Sequence, residues 1–472
     1  MSLRARALLL AASALPAACA IGPDYERPAD IMPVEQYDGT LSPQHAASYA
    51  DLDWVQAFGD PELSELIRIA LENNLDLQIA VARVEEYRGL ARVSRGAMGP
   101  QLRGTGSTSP SPVGDEDSSY SLGLALSWEI DLFGRLRRAS EATRALLLAS
   151  EDNARAVMAT LVADVTSTWI ELRALDEEIA IIHRTIAAQE ASLALVQSQN
   201  RNGVASGTEV QQARNQLATT RAQLPLAEQR RVEARNLLRF LLGFPPDRIA
   251  AGRLPAGFAA GPDIPVGLPA QLLSRRPDLR RLENELHSAT AQIGVAEATR
   301  FPYLSIGLTS FFGLVSPELA RIFDGDDPAQ ELFSIGPFFD MPIYTSGIGS
   351  GNIEAARARA QQAELAYRRG VLQSLQEVSD ALSAQQRYRE FIAHNEERVE
   401  ASREVLRMQQ MRYRAGVVSY LEVLDAERQL FAAETDLVRA RRDQLLAYVI
   451  LYRALGGGWS QSEIDRLLAE RK

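Results

Sequence analysis

The sequence predicts a mixed α+β chain made of two copies of one unit, each ordered helix, strand, strand, long helix, helix. Three observations carry that prediction. A 15-residue stretch recurs 213 positions later, and two proline-free segments of 64 residues precede its two copies. Ahead of each long segment, apolar and small residues alternate with period two, the pattern of a strand rather than a helix.

The recurrence sets the organisation. Gly203–Leu217 aligns with Gly416–Leu430 at eight of 15 positions, and Leu242-Gly243 meets Leu455-Gly456 at the same offset. Asp76-Leu77 matches Asp278-Leu279, and Pro100 and Leu102 match Pro302 and Leu304, at an offset of 202. The first repeat is therefore expected over 61–255 and the second over 266–458, joined by a Pro/Gly-rich linker at 256–265 and followed by a tail, 459–472. A unit of nearly 200 residues is too long for a solenoid period.

In each repeat Pro and the apolar spacing place the elements. Asp60-Pro61 opens a first helix that runs to about Arg95. Long helices follow at 137–200 and 208–241, and again at 350–413 and 420–455. From Val157 through Leu161, Val165, Thr168, Leu172, Leu175, Ile179 and Ile182 to Ile186, the spacing alternates between three and four residues, a coiled-coil seam. A helix of 64 residues is about 96 Å long. No compact domain accommodates two of them, so an elongated protein is expected.

Hairpins are expected at about 100–129 and 302–342. Tyr120, Leu122, Leu124, Leu126 and Trp128 alternate with Ser and Gly or Ala, as Leu304, Ile306 and Leu308 do with Ser305, Gly307 and Thr309. The pattern fits a lipid-facing outer-membrane strand and equally a half-buried hairpin; the export signal and the long helices favour the first. Polar loops separate the strands, with Asp115-Glu116-Asp117 in one and Asp324-Gly325-Asp326-Asp327 in the other. Four strands cannot close a barrel alone, and open edges are not tolerated in lipid. Two chains would give eight strands around a filled interior; three would give twelve and leave an opening.

Composition excludes several classes. A net charge of −11 provides no basic field for nucleic acid. The longest uncharged stretches, Ala7–Pro23 and Phe301–Pro317, have 17 residues each, and neither reads as a mature transmembrane helix. Arg4, Arg6 and an apolar run from Ala7 to Leu15 form a secretory signal, expected over residues 1–18. The single cysteine, Cys19, sits where small residues end that signal, as at a bacterial lipoprotein processing site. Pro16 stands where such boxes carry Leu, and cleavage after Ala20 is the competing reading. The first fits a lipid-anchored segment over 19–60.

Taken together, these features resemble the TolC-type outer-membrane efflux family, most closely its OprM-like, NodT-type lipoprotein branch. The likeness rests on Cys19 with Gly22–Pro28, on Trp128–Arg135, Arg275–Leu279, Tyr413–Val417, Tyr420–Ala426 and Leu455–Trp459. It implies a homotrimer with a twelve-stranded outer-membrane β-barrel on a long periplasmic α-helical barrel. It further implies a passive duct, served by an inner-membrane pump of resistance-nodulation-division type through a periplasmic adaptor. In such proteins two helix-turn-helix tips face the adaptor, here Gly203, Val204, Ser206, Gly207 and Thr208, with Gly416, Val417, Ser419 and Tyr420. Gly and Ser alone would also build tight turns there. Leu421, Asp425 and Arg428 match the positions where OprM-like channels constrict. Leu421 and Asp425 share a helix face, and three Asp425 carboxylates near an axis would repel; an ordinary i,i+3 pair of Asp425 with Arg428 fits the spacing as well.

Nothing in the sequence assembles a catalytic site. His45, His183, His287 and His394 are scattered, and Gly347-Ile348-Gly349-Ser350-Gly351 lacks the P-loop lysine and reads as a strand-to-helix bend. No cofactor or metal is expected, only the lipid on Cys19. The alternative function is a non-conducting coiled-coil lipoprotein scaffold in the outer membrane.

Overall fold

Asp60 and Pro61 begin the first complete helix. The Asp60 carboxylate accepts from the Leu63 amide at 2.9 Å, and Pro61, with no amide proton to leave unsatisfied, fills the first turn of α1 (Pro61–Asn73). The structure is a computed structural model that describes residues 20–28, 57–109, 119–244, 253, 255, 272–300, 303–316, 322, 330–340, 343–459 and 466. Cys19 and the signal before it, His45, the 256–265 linker and the acidic loop tips lie outside the described residues.

After α1 come α2 (Leu75–Gly96), β1 (Gln101–Ser109), β2 (Ser119–Ser127), α3 (Arg135–Arg201) and α4 (Gly207–Leu241). The second half supplies α5 (Leu272–Arg275), α6 (Pro277–Ala298), β3 (Tyr303–Ser316), β4 (Gln330–Asp340), α7 (Ile348–Arg414) and α8 (Tyr420–Ala454). Helices α3 and α7 have 67 residues each, and α4 and α8 have 35 each. The single helix expected from Pro61 to about Arg95 is instead two. Asn74 breaks it with extended backbone, its Oδ1 accepting from the Leu77 amide at 3.0 Å and its Nδ2 donating to the Leu241 carbonyl at 2.9 Å. One short side chain offers both a donor and an acceptor, and so competes with the helix it interrupts.

The chain divides into two compact units: Met1–Ala29, Ala82–Asp152 and Arg280–Arg369 form the first, and Asp30–Val81, Asn153–Leu279 and Gly370–Lys472 the second. In the first unit the two hairpins join in one antiparallel sheet of order β1-β2-β3-β4. Gln101 pairs with Ser127, Leu126 with Ser310 across the two repeats, and Tyr303 with Asp340. Leu122 and Leu124 lie exposed on β2, and β1 and β4 are edges with one partner each.

The same unit straps its N-terminal segment down. Buried Arg138 of α3 donates to the carbonyls of Ile21 (3.2 Å) and Gly22 (3.1 Å) and to Asp24 (2.7 Å). Arg27 binds Glu283 of α6 through two bonds of 2.8 Å, and Tyr25 stacks on His287 with centroids 4.8 Å apart. Gly22 and Gly294 meet so closely that a Cβ on Gly22 would lie 2.4 Å from the Gly294 Cα. That contact explains glycine at both places.

In the second unit α3 is buried well beyond one stripe: Met158, Val162, Val165, Trp169, Ile170 and Leu172 are all enclosed. A helix apolar on several sides packs on several neighbours. By length and composition α3 is the one helix among the described residues that could cross a membrane, and 22% of its apolar window is buried. Glu178 of α3 accepts from Arg230 of α4 (3.3 Å) and Arg439 of α8 (3.0 Å), tying three helices through one carboxylate.

Candidate functional site

The site is built where each long helix turns back. Gly203 (φ 75°) and Gly416 (φ 73°) end α3 and α7 in the left-handed region that L side chains avoid. The Gly203 amide donates to Asn200 O (3.0 Å) and the Val204 amide to Gln199 O (2.9 Å). Gly416 repeats the first bond to Tyr413 O and Val417 the second to Arg412 O, both at 2.9 Å. Both are Schellman motifs, which satisfy the last carbonyls of a helix and reverse the chain in three residues.

The next helices begin differently in the two copies. Ser206 accepts from the Glu209 amide at 3.3 Å while Glu209 accepts from the Ser206 amide at 2.8 Å, a complete capping box. Ser419 and Glu422 carry the same spacing, yet Ser419 makes no side-chain cap. Instead the other oxygen of Glu209 lies 3.5 Å from the Tyr420 amide. One carboxylate therefore serves the starts of both α4 and α8. The S-x-x-E spacing of Ser206 and Glu209 is a local capping signal, but the second duty of Glu209 crosses 211 positions and has no local trace.

The tips share a core: Val196, Ala205, Val210 and Ala213 from the first meet Tyr413, Tyr420, Val423 and Leu424 from the second. Tyr420, expected among the outward tip residues, is 2% exposed and packs against Tyr413 with ring centroids 5.5 Å apart. Burial and the nearby Glu427 carboxylate hold its hydroxyl well above the ordinary tyrosine range. Val204, 74% exposed, and Val417 point outward, as do Gly203, Ser206, Gly207, Thr208, Gly416 and Ser419.

Leu421, Asp425 and Arg428 lie exposed on α8, with Val423, Leu424 and Glu427 buried between them. The i,i+3 ion pair does not form. Asp425 accepts from Gln429 at 2.6 Å, and Arg428 donates to Gln216 of α4 at 2.7 Å. Sequence reasoning missed Glu427. It is 5% exposed, accepts from Ser192 of α3 at 3.0 Å, and has no partner for its second oxygen. Burial raises its carboxyl above the ordinary range, opposed in part by the Ser192 bond.

No group of three or more His, Cys, Asp or Glu side chains could hold a metal among the described residues. Gly347, at φ 88°, is the bend into α7, and Ile348, Gly349, Ser350 and Gly351 already form its first turn.

The chain combines a four-stranded sheet with long helices that turn back at two tips. The family model described as outer membrane efflux protein matches residues 66–244 and 268–457, so the chain belongs to that family and is not an enzyme. The solvent efflux pump outer membrane protein SrpC of Pseudomonas putida is 35% identical over 458 residues, covering 94% of this chain and 96% of its own. The cation efflux system protein CusC of Escherichia coli O157:H7 is 34% identical with the same coverage, 94% and 96%. The crystal structure of the open state of the Neisseria gonorrhoeae MtrE outer membrane channel superposes with a TM-score of 0.81 at 32% identity, covering 93% of this chain and 98% of that one. The protein is thus an outer-membrane efflux protein of a Gram-negative bacterium.

Proposed function

We propose that the chain is the exit duct of a tripartite efflux system. Three copies close their twelve strands into one barrel and passively conduct small compounds that an inner-membrane pump expels through a periplasmic adaptor. The observation that carries this reading is the pair of tips. Two rigid turns, fixed by Gly203 and Gly416 and packed on one core, leave Val204 and Val417 bare. Apolar side chains on rigid, projecting turns suit a partner's helical hairpin. The docking residues are then Gly203, Val204, Ser206, Gly207, Thr208, Gly416, Val417 and Ser419, with Tyr420 supporting them from within.

Leu421, Asp425 and Arg428 form the periplasmic constriction. The Asp425–Gln429 and Arg428–Gln216 bonds leave Asp425 without a cation among the described residues, which suits a ring of carboxylates that repel across an axis. Cys19 carries the lipid, directly before the strapped segment. Relatives of nearly equal identity are named for solvents and for cations, so overall likeness does not select the cargo. Asp425→Ala is expected to change the conductance and cation preference of purified protein in planar bilayers. Unchanged conductance and selectivity would remove Asp425 from the constriction.

A further inference from the structure

The sheet of the first unit has two unlike faces, and its register separates them. Successive residues of a strand point to opposite faces, and residues paired across an antiparallel ladder share one. Leu102, Gly104 and Gly106 of β1 stand opposite Leu126, Leu124 and Leu122 of β2, and a Cβ on Gly106 would meet the Leu122 Cδ1 at 3.7 Å. Gln101, Arg103, Thr105 and Ser107 stand opposite Ser127, Ala125, Gly123 and Ser121. The hydroxyls of Ser107 and Ser121 lie 2.8 Å apart. One face is thus leucine and glycine, and the other is polar or small. In a membrane barrel the first meets lipid and the second meets water.

Arg103 is the one charged residue of β1, β2 and β3, and the one basic residue in all four strands. Its place on the polar face follows from register, and its bonding agrees. Gln101, two residues back and therefore on the same face, accepts from the Arg103 Nη2 at 2.9 Å. That is its one hydrogen bond among the described residues, where it makes no ion pair. The rest of the guanidinium fork keeps its N–H donors for a planar anion such as a carboxylate or a phosphate. Pairing β1 with the β4 of a next copy uses the backbone edge and leaves the side chains of each face in place. Three copies then set three such guanidiniums around one interior.

We propose, on the barrel reading above, that Arg103 forms an anion-binding ring inside the barrel, opposite in sign to the ring proposed at Asp425. It takes the carboxylate or phosphate groups of small compounds in transit. Screening shortens from about 10 Å at 0.1 M salt to about 3 Å at 1 M, so the ring acts most strongly in dilute salt.

The test is block of single channels in planar bilayers by inositol hexakisphosphate, a compact polyanion, in 0.1 M and 1 M potassium chloride. The parent is expected to be blocked in the dilute salt and far less in the concentrated one. Arg103→Gln should raise the half-blocking concentration about tenfold or more, the loss of charge-assisted bonds to phosphate. Arg103→Lys, which keeps the charge, should retain most of the block. Conductance steps in each variant show that its barrel is intact. Equal block of the parent and Arg103→Gln would place the anion elsewhere and overturn the proposal. A parent that conducts without block would mean that a carboxylate neutralises the ring, such as Glu331 or Asp340 from the β4 of the next copy, which overturns it too. A parent without conductance steps would overturn the duct reading itself, and the ring with it.

Discussion

At the tips, one backbone conformation per turn fixes the geometry that the proposed partner meets. A Cβ on Gly203 or Gly416 would touch nothing within 4 Å, so substitution there carries only the conformational cost of the left-handed region. Gly203→Ala and Gly416→Ala should each destabilise by about 1 kcal/mol. The loss should appear as faster amide exchange confined to the turns; unaltered exchange at the turns would contradict the Schellman geometry. Glu427 behaves differently. Its carboxyl is raised, so packing favours the neutral form; the stability it lends is complete below the ordinary carboxylate range and is lost as pH rises through the raised value. Glu427→Gln keeps the shape without the charge, so the variant's gain in Tm over the parent should grow from pH 5 to pH 8. The tip glycines and the Ser206 cap were legible in the sequence because caps are local rules. Glu427 was not, because its burial depends on Ser192, 235 positions away.

Helix ends in the second unit show one task solved by two chemistries. Asn74 donates to the carbonyl of Leu241 at the end of α4, and Arg276 donates to that of Ala454 at the end of α8, at 3.1 Å. Arg276 is buried and also holds Asp278 (2.7 Å) and Glu377 (2.8 Å), whose charges offset its burial and keep its pKa above the ordinary arginine value. Removing one member of a buried ion-pair network strands the others. Arg276→Ala should therefore cost about 3–5 kcal/mol, against about 1–3 kcal/mol for Asn74→Ala, which loses neutral hydrogen bonds. Denaturant midpoints of the two variants rank them, and an equal loss would count against the network. The long helices could be read closely from the sequence, because absence of proline and a seam spacing persist over many turns. The break at Asn74 could not, since its competing partner, Leu241, comes from a distant helix end. The unequal capping of Ser206 and Ser419, which share a spacing, is likewise settled by contact between the tips.

For the molecule as a whole, the proposed assembly rests on the sheet. It takes strands from both repeats, yet β1 and β4 each keep an unpaired edge, which lipid does not tolerate. Pairing the β1 of one copy with the β4 of the next satisfies both edges at once and repeats around a ring. Alternation in the strands was visible in the sequence, whereas the pairing of β2 with β3 across the repeats was not, because no short-range turn dictates it. The proposed ring encloses an interior that conducts ions through the constriction, which a scaffold does not. The most direct measurement is single-channel recording of the detergent-purified full chain in planar bilayers. Discrete conductance steps that scale with salt concentration are expected; bilayers that receive the protein and show no steps would leave a scaffold rather than a duct.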